Sequence, residues 1–226
     1  MYWDDYGYLI EKNRYNENTV IAEMFTKDHG KVLGLIYGAT SKKISSSLQL
    51  GNKFHINYKS KNENRIGYFK LELDRIYTPF FFEDRKKLSC IISCLRLIKI
   101  LTVENQSNIN VYNLINKLFI FLGNEFWINK IVFWELELLK YVGYDLELKS
   151  IVCEENVNNN KFYYVLSNNE KKYIPNFLVE KNFDEINITN IINGFILIGD
   201  YLEKSILKPN NIIYPLSRKE FLDCIK

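Results

Sequence analysis

Positively charged side chains are concentrated between Lys27 and Arg65. This stretch carries eight Lys and Arg residues against only Asp28 and Glu63, an excess of six positive charges. From position 53 to 59, polar and cationic side chains alternate with apolar ones, which predicts a strand with one face in water. Cations pair with phosphates and rings stack on bases, so such a face is typical of proteins that bind single-stranded nucleic acid. The candidate binding residues are Lys31, Tyr37, Lys42, Lys43, Lys53, His55, Lys59, Lys61 and Arg65.

Positive and negative charges are balanced beyond residue 80. Residues 1–80 hold 12 Lys and Arg against 9 Asp and Glu, whereas residues 81–226 hold 18 of each kind. Any affinity for polyanions must therefore come from where the cations lie, because the net charge is only +3. The start of the chain lacks a basic segment followed by an apolar one, and no Cys-x-x-Cys pair occurs. We expect a cytoplasmic, nucleoid-associated protein without disulfide bonds.

The sequence contains no convincing catalytic motif. A metal-dependent nuclease needs carboxylates grouped around a divalent ion, but the neighbouring Asp4 and Asp5 point to opposite faces of a strand. His29 and His55 have no nucleophilic Ser or Cys signature nearby, and no glycine-rich loop ends in Lys-Ser or Lys-Thr. The sequence therefore favours a binding protein over an enzyme.

The first third of the chain predicts a small barrel. Short strands are expected at 3–10, 20–25, 31–38, 53–59 and 67–76, with a hairpin turn at Gly30 and a serine-rich loop after Lys43. Five curved strands in about 80 residues fit a Greek-key barrel of the oligonucleotide-binding (OB) type.

Beyond Pro79 the apolar period changes from two to about 3.6, which predicts helices. The strongest pattern lies at 125–144, and further helices are expected near 88–99, 111–118, 188–207 and 218–225. Residues 149–175 lose this periodicity and predict an irregular insertion, either a loop or a small irregular ribbon. The predicted fold is thus α+β, with an OB barrel at 1–80 and an α-helical domain at 81–226.

Several motifs in order along the chain resemble one bacterial family. They are Trp3-Asp4-Asp5-Tyr6-Gly7, His29-Gly30-Lys31, Tyr37 to Lys43, Leu48 to Asn52, and Trp134 to Tyr144. Together they resemble RecO, the DNA repair and recombination mediator. The resemblance implies binding of single- and double-stranded DNA, annealing of complementary strands, and cooperation with RecR and the single-strand-binding protein SSB in loading RecA.

Some RecO proteins hold zinc with four cysteines in the insertion. Here only Cys153 falls in that region, and four ligands are needed for a tetrahedral zinc site. We expect a degenerate zinc-finger-like region with no metal and no other cofactor.

The resemblance also implies a pocket for the acidic SSB tail, which ends in an apolar residue. An apolar floor with a few cations would suit it. The first helix offers Leu88, Ile92 and Leu95 among the candidate tail-binding cations Arg85, Lys86, Arg96 and Lys99.

A different class of function stays open: an adaptor whose barrel binds a protein or an RNA, without annealing DNA. An interaction insensitive to salt, without affinity for single-stranded DNA, would favour the adaptor.

Overall fold

The computed structural model describes residues 1–62, 65–157, 160–167, 170–181 and 187–226. By internal contacts, residues 1–120 and 215–224 form a first compact unit, and residues 121–214 with 225–226 form a second. Strands give way to helices near residue 80, where the sequence predicts the change, but the compact units divide elsewhere. The reason is that the helix after Pro79 packs on the first strand.

Five strands close into a barrel in the first unit, in the order β1-β2-β3-β5-β4. The predicted OB-type barrel is confirmed. Its strands are β1 (Tyr2–Arg14), β2 (Thr19–Thr26), β3 (Gly30–Tyr37), β4 (Lys53–Lys59) and β5 (Gly67–Arg75). All neighbouring pairs are antiparallel except β3 and β5.

Alternation along the strands fills the barrel. On β4, Phe54, Ile56 and Tyr58 are buried in the core, so the intervening polar residues lie outside. Burial of a large apolar side chain contributes about 1.5–3 kcal/mol. The period-two pattern of β4 therefore fixes which side chains reach solvent.

A short helix, α1 (Lys42–Ser47), lies where the sequence predicts a loop. Its serine hydroxyls donate to carbonyls three residues earlier, which supports one turn of helix despite weak propensity. Ile44 and Leu48 pack against the barrel core. Helix α1 thus closes one end of the barrel.

The first unit continues with a 3₁₀ turn at Thr78–Phe81, with helix α2 (Arg85–Leu101) and with most of helices α3 (Ile109–Leu122) and α8 (Leu216–Ile225). Asp84 caps α2 by accepting a hydrogen bond from the Lys87 amide. The buried stripe of α2 includes Ile91, Leu95 and Ile98. Helix α2 therefore has one face in the core and one in water.

The second unit holds helices and a small antiparallel sheet. The helices are α4 (Trp127–Tyr141), α5 (Leu148–Ile151), α6 (Asn176–Glu180) and α7 (Ile188–Tyr201), followed by a π-helical turn at Leu202–Leu207. Three strands, β6 (Cys153–Val157), β7 (Asn160–Ser167) and β8 (Glu170–Ile174), form the sheet. This sheet occupies the insertion predicted at 149–175, where the sequence indicated a loop or a small irregular ribbon.

Within the described residues, no helix is both long enough and apolar enough to span a bilayer.

Candidate nucleic-acid interface

Strands β1, β4 and β5 share an outer surface, here called the strand face. Cross-strand pairing arranges its side chains in three rows. The rows are Tyr6, His55 and Glu72; Asp4, Asn57 and Lys70; and Tyr2, Lys59 and Tyr68. Alternate residues of a strand point to the same side, so these side chains form one continuous surface.

Exposed tyrosines stand among the cations of the strand face. Tyr2, Tyr6 and Tyr68 are 60%, 44% and 42% exposed. The Lys59 ammonium lies 5.3 Å from the ring centre of Tyr2, and the Lys53 ammonium lies 5.1 Å from that of Tyr6. Such exposed cation–π contacts contribute about 0.5–1 kcal/mol each. The contacts orient rings that still present area to a ligand.

The rings of His55 and Tyr37 lie next to the exposed tyrosines of the strand face. The imidazole of His55 lies with its centroid 5.0 Å from that of Tyr6. At the end of β3, the ring of Tyr37 lies 6.1 Å from that of Tyr68. The predicted residues Tyr37 and His55 are thus joined to the tyrosines of the strand face.

Carboxylates reduce the charge of the strand face. Lys53 Nζ lies 3.1 Å from Asp74 Oδ2, and His55 Nε2 lies 3.9 Å from Asp4 Oδ1. In contrast, the described residues offer no carboxylate partner within 4 Å to Lys59 or Lys70. Free positive charge on the strand face therefore lies toward the end of β4.

The remaining predicted cations lie at the two ends of β4. Lys42 and Lys43 are exposed in the first turn of α1, which precedes β4. Lys61 and Arg65 are exposed in the loop that follows it. These four exposed cations belong to the two segments that border β4 in the chain.

Lys31 is a correction to the predicted set, because its side chain is a structural cap. It is 8% exposed, and its ammonium donates to the carbonyls of Lys99 and Thr102 at 2.7 Å each. These carbonyls end α2, where a cation is favoured by the helix dipole. Burial lowers the pKa of Lys31. It is therefore not available to a phosphate.

Asp5 stabilises the turn between β2 and β3. One oxygen accepts from the Tyr6 amide at 2.7 Å, and the other accepts from the Asp28 amide and lies 2.9 Å from His29 Nδ1. Burial alone would raise the pKa of Asp5, but these hydrogen bonds together outweigh it and hold the pKa below its ordinary value. Asp4 faces outward instead, so the two carboxylates do not converge.

The predicted tail-binding cations on α2 fall into two groups. Arg85 and Lys86 are exposed in its first turn. Arg96 Nη1 lies 2.6 Å from Glu11 Oε2, and Lys99 Nζ lies 2.7 Å from Glu23 Oε1. Arg96 and Lys99 are thus paired with the acidic residues of β1 and β2.

The apolar floor predicted for the tail is only partly present. Leu95 is buried in the core, whereas Ile92 is exposed and Leu88 is half-buried. The free cations of α2 and its exposed apolar surface therefore lie in the first half of the helix.

Cysteines do not form a metal site in the described part of the chain, where no cluster of three or more metal-ligating side chains occurs. Cys153 is exposed on β6, and Cys90 and Cys94 are buried one turn apart on α2 with their sulfurs 3.9 Å apart. The absence of zinc stays a prediction.

Tyr2, Tyr6, Tyr68 and Lys70 were missed at the sequence level. Their strands were predicted, but their common surface depends on the register between β1, β4 and β5. The alternation of Tyr2, Asp4 and Tyr6 along β1 was the available signal. An exposed period-two aromatic pattern beside a basic strand could have identified them.

The closed barrel with an aromatic and basic outer face places this chain in the class of OB-fold proteins. Residues 1–75 match the model of the family "Recombination protein O N terminal", and residues 82–190 match that of "Recombination protein O C terminal". The chain belongs to the RecO family of bacterial DNA repair proteins.

Relatives match over almost the whole chain. The DNA repair protein RecO of Bartonella quintana is 26% identical over 237 residues, which covers 96% of this chain and 95% of that protein. The RecO protein of Rhodospirillum centenum is 24% identical, covering 99% and 94%. The RecO protein of Rickettsia canadensis is 31% identical over 159 residues, covering 70% and 65%.

Proposed function

We propose that this chain is a non-catalytic DNA-binding protein of recombinational repair that holds single-stranded DNA along the strand face. The observation that carries the proposal is the alignment of Tyr2, Tyr6 and Tyr68 with Lys59 and Lys70 on neighbouring strands. Rings supply stacking that tolerates any base, and ammonium groups supply contacts to phosphates.

Annealing of complementary strands follows from the same contacts. Two DNA strands repel each other through their phosphates, and a bound basic surface reduces this repulsion. Tyrosines that stack on bases from one side leave the pairing edges free. Double-stranded DNA would be held through its phosphates, chiefly by Lys42, Lys43, Lys61 and Arg65 around the strand face.

We further propose that the protein loads RecA onto SSB-coated single strands together with RecR. The sequence has no nucleotide-binding loop, so remodelling would use binding free energy alone. Linking a DNA site to a site for the SSB tail raises the effective concentration of each ligand at the other.

The SSB tail would bind the first half of α2. Arg85 and Lys86 supply free positive charge, and the exposed Ile92 supplies apolar surface. An acidic peptide with an apolar end suits this combination. Arg96 and Lys99 would contribute less because Glu11 and Glu23 already neutralise them.

The DNA proposal is tested by fluorescence anisotropy with a labelled oligonucleotide at several salt concentrations. We expect affinity to fall as salt rises, with a slope of about 0.7 per phosphate contact in a single strand. Absence of DNA binding at low salt would contradict the proposal, and salt-independent binding of a protein partner would instead favour an adaptor.

The tail proposal is tested on the full chain, because α2 packs on β1 and is capped by Lys31. We expect an acidic tail peptide to lose affinity in Arg85→Glu with Lys86→Glu. Arg96→Glu is the comparison variant, since it places a carboxylate beside Glu11 without touching the first turn. Equal loss in both variants, or loss only in Arg96→Glu, would contradict the assignment.

A further inference from the structure

The end of the barrel opposite α1 opens into a cleft of about 600 Å³. Its walls come from the start of β1, the β2–β3 turn, β3, the β4–β5 loop and the α2–α3 loop. Pockets for small organic ligands have volumes of about 300–1,000 Å³. The cleft is therefore large enough for one nucleotide unit.

Aromatic rings line the inner part of the cleft. The Trp3 ring stacks on His29 with centroids 4.0 Å apart and an interplanar angle of 10°, and it also stacks on Tyr58 at 4.7 Å and 22°. About a third of the His29 side chain is exposed. Flat rings with an accessible surface suit a flat ligand that stacks, as a nucleobase does.

The walls of the cleft are held by backbone contacts. Gly30 has φ +69°, and a β-carbon there would lie 1.9 Å from the Gln106 carbonyl, so the β2–β3 turn and the α2–α3 loop are packed tightly. The Asn105 amide also donates to the Lys31 carbonyl.

The Tyr58 ring, at the floor of the cleft, is also held by close contact with the backbone. The Gly67 amide donates to the Tyr58 hydroxyl at 3.0 Å, and a β-carbon on Gly67 would lie 2.4 Å from that ring. A site built this way is preorganised, which reduces the entropy lost on binding.

Polar groups surround the opening. Arg65 supplies a cation for a phosphate, while Asn62, Asn105 and Ser107 can exchange hydrogen bonds with the edge of a base. Asp28 and Glu104 also line the cleft and repel phosphate. A phosphate would therefore remain at Arg65, and the neutral base would enter.

The strand face leads to this cleft. Its row of Tyr2, Lys59 and Tyr68 lies at the end of β4 and the start of β1 and β5, which is the end of the barrel where the cleft opens. Arg65 belongs to the loop between Lys59 and Tyr68. A strand that follows the tyrosines thus reaches the opening without changing surface.

We propose that the cleft binds one unpaired nucleobase, turned out of a single strand that lies on the strand face. This inference rests on the proposed single-strand binding and names a second, distinct site for it. The base stacks on the accessible ring of His29, beside the Trp3 and Tyr58 rings that also line the cleft, and its phosphate stays with Arg65. Such insertion selects unpaired over paired bases, because a paired base would first have to leave its duplex.

The test uses the full chain and two oligonucleotides of equal length, one of thymidines and one of abasic sites. Both carry the same phosphates. We expect thymidines to quench the fluorescence of Trp3 and abasic sites to leave it unchanged. The other two tryptophans, Trp127 and Trp134, are buried in the second unit, and a Trp3→Phe variant identifies the source of the signal.

Ile66→Glu blocks the cleft without removing a hydrogen bond, because Ile66 lines the opening and is 55% exposed. Ile76→Glu is the matched control, since it makes the same charge change at the other end of β5, outside the cleft. We expect Ile66→Glu to abolish quenching by thymidines and Ile76→Glu to retain it.

Fluorescence anisotropy on the same samples distinguishes a wrong cleft assignment from a failure of DNA binding itself. Binding of both oligonucleotides without a change in Trp3 fluorescence, or with equal quenching by both, overturns the cleft assignment and leaves DNA binding intact. If neither oligonucleotide binds at low salt, the proposed function itself is wrong.

Discussion

The strand face of the barrel and the exposed face of the sheet β6-β7-β8 have similar compositions but different electrostatics. The second face carries Phe162, Tyr164 and Tyr173 beside Lys171. However, Lys171 pairs with Glu155, and the hydroxyl of Tyr173 donates to the same carboxylate at 2.8 Å. An aromatic and lysine-rich sheet thus becomes a candidate for DNA binding only where its cations remain free of carboxylates.

Internal pairing covers the other lysines of the small sheet as well. Lys161 lies 3.0 Å from Glu154, and Lys172 pairs with Asp200. Hydrogen bonds from Lys171 and Tyr173 hold the pKa of Glu155 below its ordinary value. On the barrel, by comparison, Lys59 contacts a ring and Lys70 projects to solvent. We expect the barrel to supply the phosphate contacts.

The largest effect is expected from removing rings. Tyr6→Ala with Tyr68→Ala should weaken single-strand binding by about 1–3 kcal/mol for each ring that stacks on a base, roughly 5- to 150-fold in affinity. Anisotropy titration measures this loss, and melting temperature checks the fold. Tyr164→Ala with Tyr173→Ala is the control on the second sheet, and an equal loss there would remove the distinction between the two faces.

Asp5→Asn should lower stability by about 1–3 kcal/mol at neutral pH, because amide and imidazole donors then lose a charged acceptor. The folded pKa of Asp5 lies below its unfolded value, so the stabilisation is full above about pH 4 and is lost as pH falls further. The difference in melting temperature between the two proteins should therefore shrink in acid.

Asp4→Asn provides the comparison on the same strand. It removes negative charge from the strand face and should strengthen DNA binding slightly. If the difference in melting temperature between Asp5→Asn and the unchanged protein did not depend on pH, the carboxylate of Asp5 would not be the cause of the lower stability.

Lys42→Ala with Lys43→Ala should weaken single-strand binding and reduce the salt slope by about 0.7 for each phosphate that these lysines neutralise. Both side chains are exposed, so the melting temperature should change little. An unaltered affinity and slope would show that α1 lies outside the DNA path.

The smallest effect is expected from a chelator. The second sheet is held by ion pairs and ring contacts, and we predict that purified protein contains no stoichiometric zinc. Thermal unfolding should then be the same with and without chelator. One equivalent of tightly bound zinc by elemental analysis would contradict this prediction.

Local patterns predicted the barrel strands well, because alternation on β4 and on the first half of β5 reflects burial of every second residue. They did not reveal the role of Lys31, since its partner carbonyl on Lys99 lies 68 residues away. The sheet at 153–174 was missed because Phe162, Tyr163 and Tyr164 are successive aromatic residues that give no alternation. The rows of the strand face could not be predicted without the register between β1, β4 and β5, and this register is set by the pairing of strands that are distant in sequence.

The difference between the two faces is tested most directly by the salt dependence of single-strand binding in two double variants. Lys59→Ala with Lys70→Ala removes the unpaired cations of the strand face, and Lys161→Ala with Lys171→Ala removes paired cations of the second sheet. We predict a salt slope lower by about 1.4 in the first variant, since two cations that neutralise phosphates are removed, and an unchanged slope in the second. An unchanged slope in the first variant together with a reduced slope in the second would contradict the assignment of DNA binding to the barrel.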